Sequence, residues 1–216
     1  MQDLRVFIGV DPRQPLAYTV LQNSIIRRAK KPVSITPLVL SQLPITRRGL
    51  TDFTFSRFYV PGISKYHGVS IFMDADMLCL CDVHELLEHH SCLNTVTVAQ
   101  HQQHFEWPSL MIFTNAACKK LTPEFINSKE NKMFDFKWAK SIGNLPPEYN
   151  YCVGYDQPRG DAKIVHFTQG IPCFPETQNS PYRKEWYEEL ESATSTVPWK
   201  ALMGNSVHAQ RMNARI

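Results

Sequence analysis

At 216 residues the chain is long enough for one sizeable domain and short for two. Its composition, 43% hydrophobic and 20% charged with nothing low-complexity, is that of a globular protein. The net charge of +3, spread over dispersed Lys and Arg, argues against a nucleic-acid-binding face. No apolar run is long enough to span a bilayer and no secretory signal opens the chain. Six cysteines without paired zinc spacing then lead us to expect reduced thiols and a cytoplasmic setting. Cys79 and Cys81 read as two small, apolar-compatible residues near a strand end, with a zinc pair as the second choice.

Residues 4–10, dense in β-branched and aromatic side chains, predict a first strand. The prolines of Asp11-Pro-Arg-Gln-Pro15 end its pairing, and Pro15 suits the first turn of a helix. That helix carries Ala17, Val20, Leu21, Ser24 and Ile25 on one face and closes on Arg27, Arg28 and Lys30, whose charge complements the helix dipole. A second strand follows over 33–40, with Pro37 signalling a bulge or an irregular edge. Strand, helix and strand at this spacing form a βαβ unit and predict a partly parallel sheet.

Residues 44–54 are a polar loop and 53–65 an aromatic-rich helix ending near Pro61-Gly62. Within it Arg57 either snorkels to water or pairs with phosphate. Next, Ile71, Phe72 and Met73 run into Asp74 and Asp76, and apolar residues resume at Met77. A short buried strand is predicted, with the two carboxylates on one side and Ala75 on the other. Like charges that close repel unless a cation lies between them, and oxygen ligands suit magnesium or manganese. The alternative is a solvated strand end.

A short helix is expected over 82–90 and strands over 95–99 and 109–114. His101 and His104 read as solvated loop histidines, or as a metal pair sharing a helix face. Asn115, just past a strand end, either bonds a ligand hydroxyl or completes a turn. Residues 119–145 mix helix and loop. A late strand over 162–167 ends near His166, a natural third ligand for a cation held by two carboxylates, or a structural histidine. Residues 196–216, with Lys200, Arg211 and Arg215, read as a solvated tail.

Taken in order, Gly9-Val-Asp11, Phe55-Ser-Arg57-Phe58, Ile71-Phe-Met-Asp74-Ala-Asp76, Phe113-Thr-Asn115-Ala116 and Val165-His-Phe-Thr-Gln-Gly170 form a joint motif set. The set resembles the glycogenin-like, family-8 type glycosyltransferases of GT-A fold. Small bacterial members of that superfamily share phrases such as Pro32-Val-Ser-Ile-Thr-Pro-Leu38 and Gly143-Asn-Leu-Pro-Pro-Glu148. The likeness covers about residues 4–190. It implies an α/β, Rossmann-like GT-A domain over 1–195, built on a single mixed, mostly parallel sheet flanked by helices. It also implies a metal-dependent, retaining transfer from a nucleotide-sugar donor, a UDP-sugar by analogy, to a glycan, lipid-linked or small-molecule acceptor.

Carried over by position, Asp74, Asp76 and His166 hold Mn2+ or Mg2+. Gly9, Val10, Asp11 and Arg13 lie along base and ribose, Arg57 lies against base or phosphates, and Asp74, Ala75 and Gly170 also border the donor. Asn115 faces the sugar, and Asp156 and Gln157 fall in the interval where relatives place a catalytic acid or amide. Two departures stand out. The segment Gln169-Gly-Ile-Pro-Cys-Phe174 lacks the lysine that grips the diphosphate in relatives, leaving Arg57 or Lys163 as substitutes. No acidic or amide motif is recognisable between Asn115 and His166. These departures support an alternative, a catalytically silent nucleotide-sugar-binding or scaffold protein. A haloacid-dehalogenase type phosphotransferase is set aside, because its aspartates follow the first strand and His166 would have no role.

Overall fold

The computed structural model describes residues 4–194, so the expected tail, with Lys200, Arg211 and Arg215, lies outside the described residues. Nine strands are assigned there: β1 Leu4–Gly9, β2 Val33–Leu38, β3 Val69–Met73, β4 Met77–Cys79, β5 Val96–Val98, β6 Leu110–Thr114, β7 Ile142–Asn144, β8 Tyr151–Cys152 and β9 Ile164–His166. The α-helices are α1 Pro15–Arg28, α2 Phe53–Ser56, α3 Val60–Ile63, α4 Pro123–Asn127 and α5 Arg183–Thr194. Six strands form one sheet in the order β2-β1-β3-β6-β5-β7. Pairings β1–β2, β1–β3 and β5–β7 are parallel, and the two that involve β6 are antiparallel. The expected mixed, mostly parallel sheet is therefore present. Beside it stands a second sheet, β4-β9-β8, that the sequence reading had merged with the first.

The central strands are buried on both faces: Val6, Ile8, Ile71, Phe72, Ile112 and Phe113 have no significant exposure. Each such side chain contributes about 1.5–3 kcal/mol by leaving water. Helix α1 covers the sheet with the five residues its periodicity marked, and Arg27 and Arg28 close it. Both arginines, together with Asn23, reach the carboxylate of Glu189 on α5, which is almost fully buried and so needs several partners. Pro37 sits in β2 at the sheet edge, where its missing N–H interrupts no ladder.

The expected helix over 53–65 is three short pieces: α2, a 3-10 turn over Arg57–Tyr59, and α3. It closes on Lys65 and Tyr66, both in the left-handed region. The turn is tight because Phe53 and Phe58 are driven into the core while Arg57 bends back to bond the Phe53 carbonyl.

Gly9 ends β1 against the Phe53 ring, and a Cβ there would come within 2.4 Å of a ring carbon. We expect Gly9→Ala to lower stability by about 1–3 kcal/mol through overpacking. Urea denaturation checks this, and adding Phe53→Leu should return part of the loss.

Candidate active site

Because β1 and β3 run parallel, with Ile8 opposite Met73, their carboxyl ends share one edge of the sheet. Gly9 to Arg13 and Asp74 to Asp76 leave from that edge. Asp74 and Asp76 stand in the turn between β3 and β4, where the chain passes from one sheet to the other. In β9, His166 pairs across from Met77, and the Phe167 amide donates to the Asp76 carbonyl at 2.9 Å. Strand pairing thus delivers a histidine 90 residues downstream to the two aspartates. One donor atom each from Asp74, Asp76 and His166 lies within 4.8 Å of the others.

These groups border a cavity of about 590 Å³ that also touches Arg13, Gln14, Thr51, Phe53, Arg57, Glu106, Phe134, Thr168 and Gly170. Nη1 of Arg57 lies 3.0 Å from Asp74 Oδ1, although its N–H is directed at Oδ2, 3.3 Å away. His166 Nε2 is 3.3 Å from Asp76 Oδ1 and Nδ1 is 3.6 Å from Glu106 Oε2. Asp74 Oδ1 and Asp76 Oδ1 are both buried and accept no hydrogen bond. Two buried carboxylate oxygens that accept no hydrogen bond, converging beside an imidazole, fit a hard divalent cation, which would join Arg57 and His166 in offsetting their charge.

The electrostatics agree. Burial pushes Asp74 up to about 7, against the pull of Arg57 and with added repulsion from Asp76. Burial likewise raises the Glu106 carboxyl. Burial alone would lower the His166 pKa, but the Asp76 charge 3.3 Å from Nε2 and the Cys152 thiol beside Nδ1 outweigh it and hold the imidazole well above its ordinary value. A metal held by Asp74 and His166 would displace a proton from each, so affinity for Mn2+ should go on rising above pH 7 while His166 is protonated and fall by more than about tenfold per unit well below 7. Titration calorimetry between pH 5.5 and 8 measures this, and a flat profile would remove Asp74 from the ligand set.

At the mouth, Arg13 is paired through two nitrogens with the buried Asp11 and also donates to the Leu50 carbonyl at 2.9 Å. These hydrogen bonds pull the Asp11 carboxyl down to about 2. Arg57 is itself buried, donating to the Phe53 and Pro108 carbonyls and stacked over Phe53 and Phe72. It is therefore the fixed counter-charge of Asp74. Ala75 is fully buried, Val10 is half-buried with its amide on the Leu38 carbonyl, and Gly170 adopts φ +111° at the cavity wall. Among the described lining residues the cations are Arg13, Arg57 and His166. Lys163 instead faces Glu85 at 3.7 Å.

Three expected catalytic residues are not brought to the cavity. β6 runs antiparallel to β3, so Thr114 pairs with Val69 and Asn115 falls at the opposite end of the sheet from Asp74. There Asn115 is buried and donates to the His67 carbonyl and Ser70 Oγ, which makes it a strand-end tie. Asp156 accepts from the Cys152 amide at 2.8 Å and lies 3.4 Å from His101, while Gln157 is exposed. Neither lines the cavity. His104 stacks on Trp107, 4.1 Å between centroids, and does not join His101. Sequence reasoning missed Glu106: in the row His104-Phe-Glu-Trp-Pro its only signal is a carboxylate among apolar residues.

No family model matches the chain. Among solved structures it superimposes on the apo form of the bifunctional glycosyltransferase WbbM, with a TM-score of 0.61 at 15% identity, covering 93% of this chain and 51% of WbbM. It also superimposes on the apo glycosyltransferase GlyE of Streptococcus pneumoniae TIGR4, with a TM-score of 0.64 at 17% identity, covering 100% of this chain and 64% of GlyE. The chain thus spans about half the length of the first and under two thirds of the second. With its mixed sheet and carboxyl-edge cavity, the protein has the GT-A glycosyltransferase fold. It is 30% identical over 224 aligned positions to protein CDI of Arabidopsis thaliana, covering 87% of this chain and 86% of that protein. The chain belongs to the same family as protein CDI.

Proposed function

We propose that the protein is a metal-dependent glycosyltransferase of the glycogenin-like type, moving a sugar from a nucleotide-diphosphate donor, by preference a UDP-sugar, to an acceptor. The observation that carries this reading is the pair of buried oxygens of Asp74 and Asp76 that accept no hydrogen bond and converge beside His166, within the cavity of this fold. Asp74, Asp76 and His166 would hold Mn2+ or Mg2+. When bound, the cation supplies Lewis-acid stabilisation of the charge that develops on the leaving nucleoside diphosphate. Arg57, held over the Phe53 and Phe72 rings, faces Asp74 as its counter-charge. Thr51, Phe53 and Phe134 give the cavity apolar and hydroxyl-bearing walls for the donor, and Arg13 stands at its mouth. Transfer with retention at the anomeric carbon belongs to the same reading, as does a single domain reaching residue 195.

A second reading, a silent nucleotide-sugar binder, is favoured by one observation. The lining arginines are already committed to Asp11 and Asp74, so no uncommitted arginine or lysine lines the described cavity to grip a diphosphate. Thermal shift with a panel of nucleoside diphosphates and nucleotide sugars, with and without Mn2+, tests the binding that both readings share, because a ligand raises Tm by mass action. Stabilisation by uridine nucleotides only when Mn2+ is present is the expected result. No shift with any of them would overturn both. Release of UDP from the stabilising donor then separates enzyme from binder.

A further inference from the structure

The two nitrogens of His166 face different partners. Nε2 faces Asp76 Oδ1 at 3.3 Å, on the side of the paired aspartates, whereas Nδ1 faces Glu106 Oε2 at 3.6 Å and the Cys152 thiol at 3.8 Å. Glu106 lines the cavity, yet it is not in the donor set of Asp74, Asp76 and His166. Its own segment holds it in place. In the 3-10 segment His104–Ser109 its amide donates to the Gln103 carbonyl at 2.9 Å, and its carbonyl accepts from Ser109 Oγ at 2.6 Å. The same segment is tied to the end of β3. The Asp74 amide donates to the Ser109 carbonyl at 2.9 Å, and Arg57 donates to the Pro108 carbonyl at 3.0 Å. The Glu106 side chain is 13% exposed, so water screens its charge little.

We propose that Glu106 is a positioning residue for the metal: its carboxylate keeps the His166 proton on Nδ1 and so presents the bare Nε2 to the cation that Asp74 and Asp76 would share. The inference rests on the metal reading proposed above. A neutral imidazole carries one proton, and the nitrogen that binds a metal must be the other one. Metal-binding histidines place a carboxylate, a carbonyl or a water on that second nitrogen, and removing such a partner costs about 10- to 100-fold in affinity.

Oε2 stands at an ion-pair distance from Nδ1 rather than a hydrogen-bond distance, but a charge needs no linear bond to favour the tautomer whose N–H faces it. The Cys152 sulfur, the other group at Nδ1, is a weak acceptor and carries less of that bias. Glu106 therefore acts through the ring and not on the ion.

The test is a double-mutant cycle on the full-length protein, read by calorimetric Mn2+ titration at one fixed pH. Glu106→Leu should weaken Mn2+ binding about 10- to 100-fold when His166 is present. In the His166→Ala background the same change should cost roughly threefold or less, because no ring is left to orient. Glu106→Gln keeps an oxygen that can accept from Nδ1, so it should lose less than Glu106→Leu. A carboxylate acting on the ion directly, or through its field alone, would cost the same in both backgrounds, and that result overturns the assignment. So does a Glu106→Leu protein whose Tm falls while its Mn2+ affinity holds, the mark of a purely structural role. If Glu106→Leu does not fold, the cycle is run with Glu106→Gln, whose smaller loss should again require His166. A wild type that binds no Mn2+ removes the metal reading and this role together; a wild type that binds, with additive losses in the cycle, removes only the role of Glu106.

Discussion

Asp76→Ala should abolish Mn2+-dependent donor stabilisation and sugar transfer together. Asp76 Oδ1 is buried, accepts no hydrogen bond and lies 3.3 Å from His166 Nε2, so the side chain does little for the fold that a cation would not repay. Residues that merely orient a metal ligand cost 10- to 100-fold in affinity when removed, so loss of a charged ligand should cost about a hundredfold or more. His166→Ala should cost less, because a neutral imidazole offsets less of the metal's charge than a carboxylate does. Calorimetric Mn2+ titration and nucleotide release with the stabilising donor measure both. Normal binding and transfer by Asp76→Ala would remove the metal assignment, and a larger loss in His166→Ala would reverse the ranking.

The second large effect concerns Arg57. Its guanidinium is buried, donates to two backbone carbonyls and faces Asp74, so Arg57→Met strands three acceptors at once. Breaking a buried pair by removing one partner costs about 3–5 kcal/mol, and we expect that loss in urea denaturation. The double variant Arg57→Met/Asp74→Asn should be less destabilised than the two single losses added, because no buried charge is left alone. Where Arg57→Met still folds, the Mn2+ affinity profile should shift to higher pH, since the arginine charge is what restrains the Asp74 pKa. Strict additivity in the cycle would mean that the pair is not coupled.

Much of the fold was legible because it rests on local patterns. The apolar run of β1, the five-residue buried face of α1 and the basic close of that helix depend on periodicity and dipole chemistry alone. The site was legible in part for the same reason: Asp74 and Asp76 advertise themselves as two charges entering an apolar strand. His166 was read from its strand-end place as a third ligand or a structural histidine and set beside the aspartates by resemblance, and the pairing of β9 with β4 does bring it there.

The failures share a cause as well. Asn115 was carried to the sugar by resemblance, its place past a strand end leaving a ligand or a turn open, and a strand's sequence does not carry its direction. Antiparallel pairing of β6 sends it to the far edge. The second sheet was invisible because β4 and β8 are three and two residues long, too short for any period to register. Glu106 gave little warning, since burial of a single carboxylate depends on what packs over it.

By itself, the sequence determined the βαβ opening, the residues of the core faces and the presence of two metal-suited carboxylates, because propensity, periodicity and side-chain chemistry act over a few residues. Only the tertiary structure decided which strand ends share an edge, that Arg57 serves Asp74 from inside the protein, and that Cys152 meets His101 and His166. Those facts depend on strand direction and long-range packing, which bring together side chains 14 to 51 positions apart.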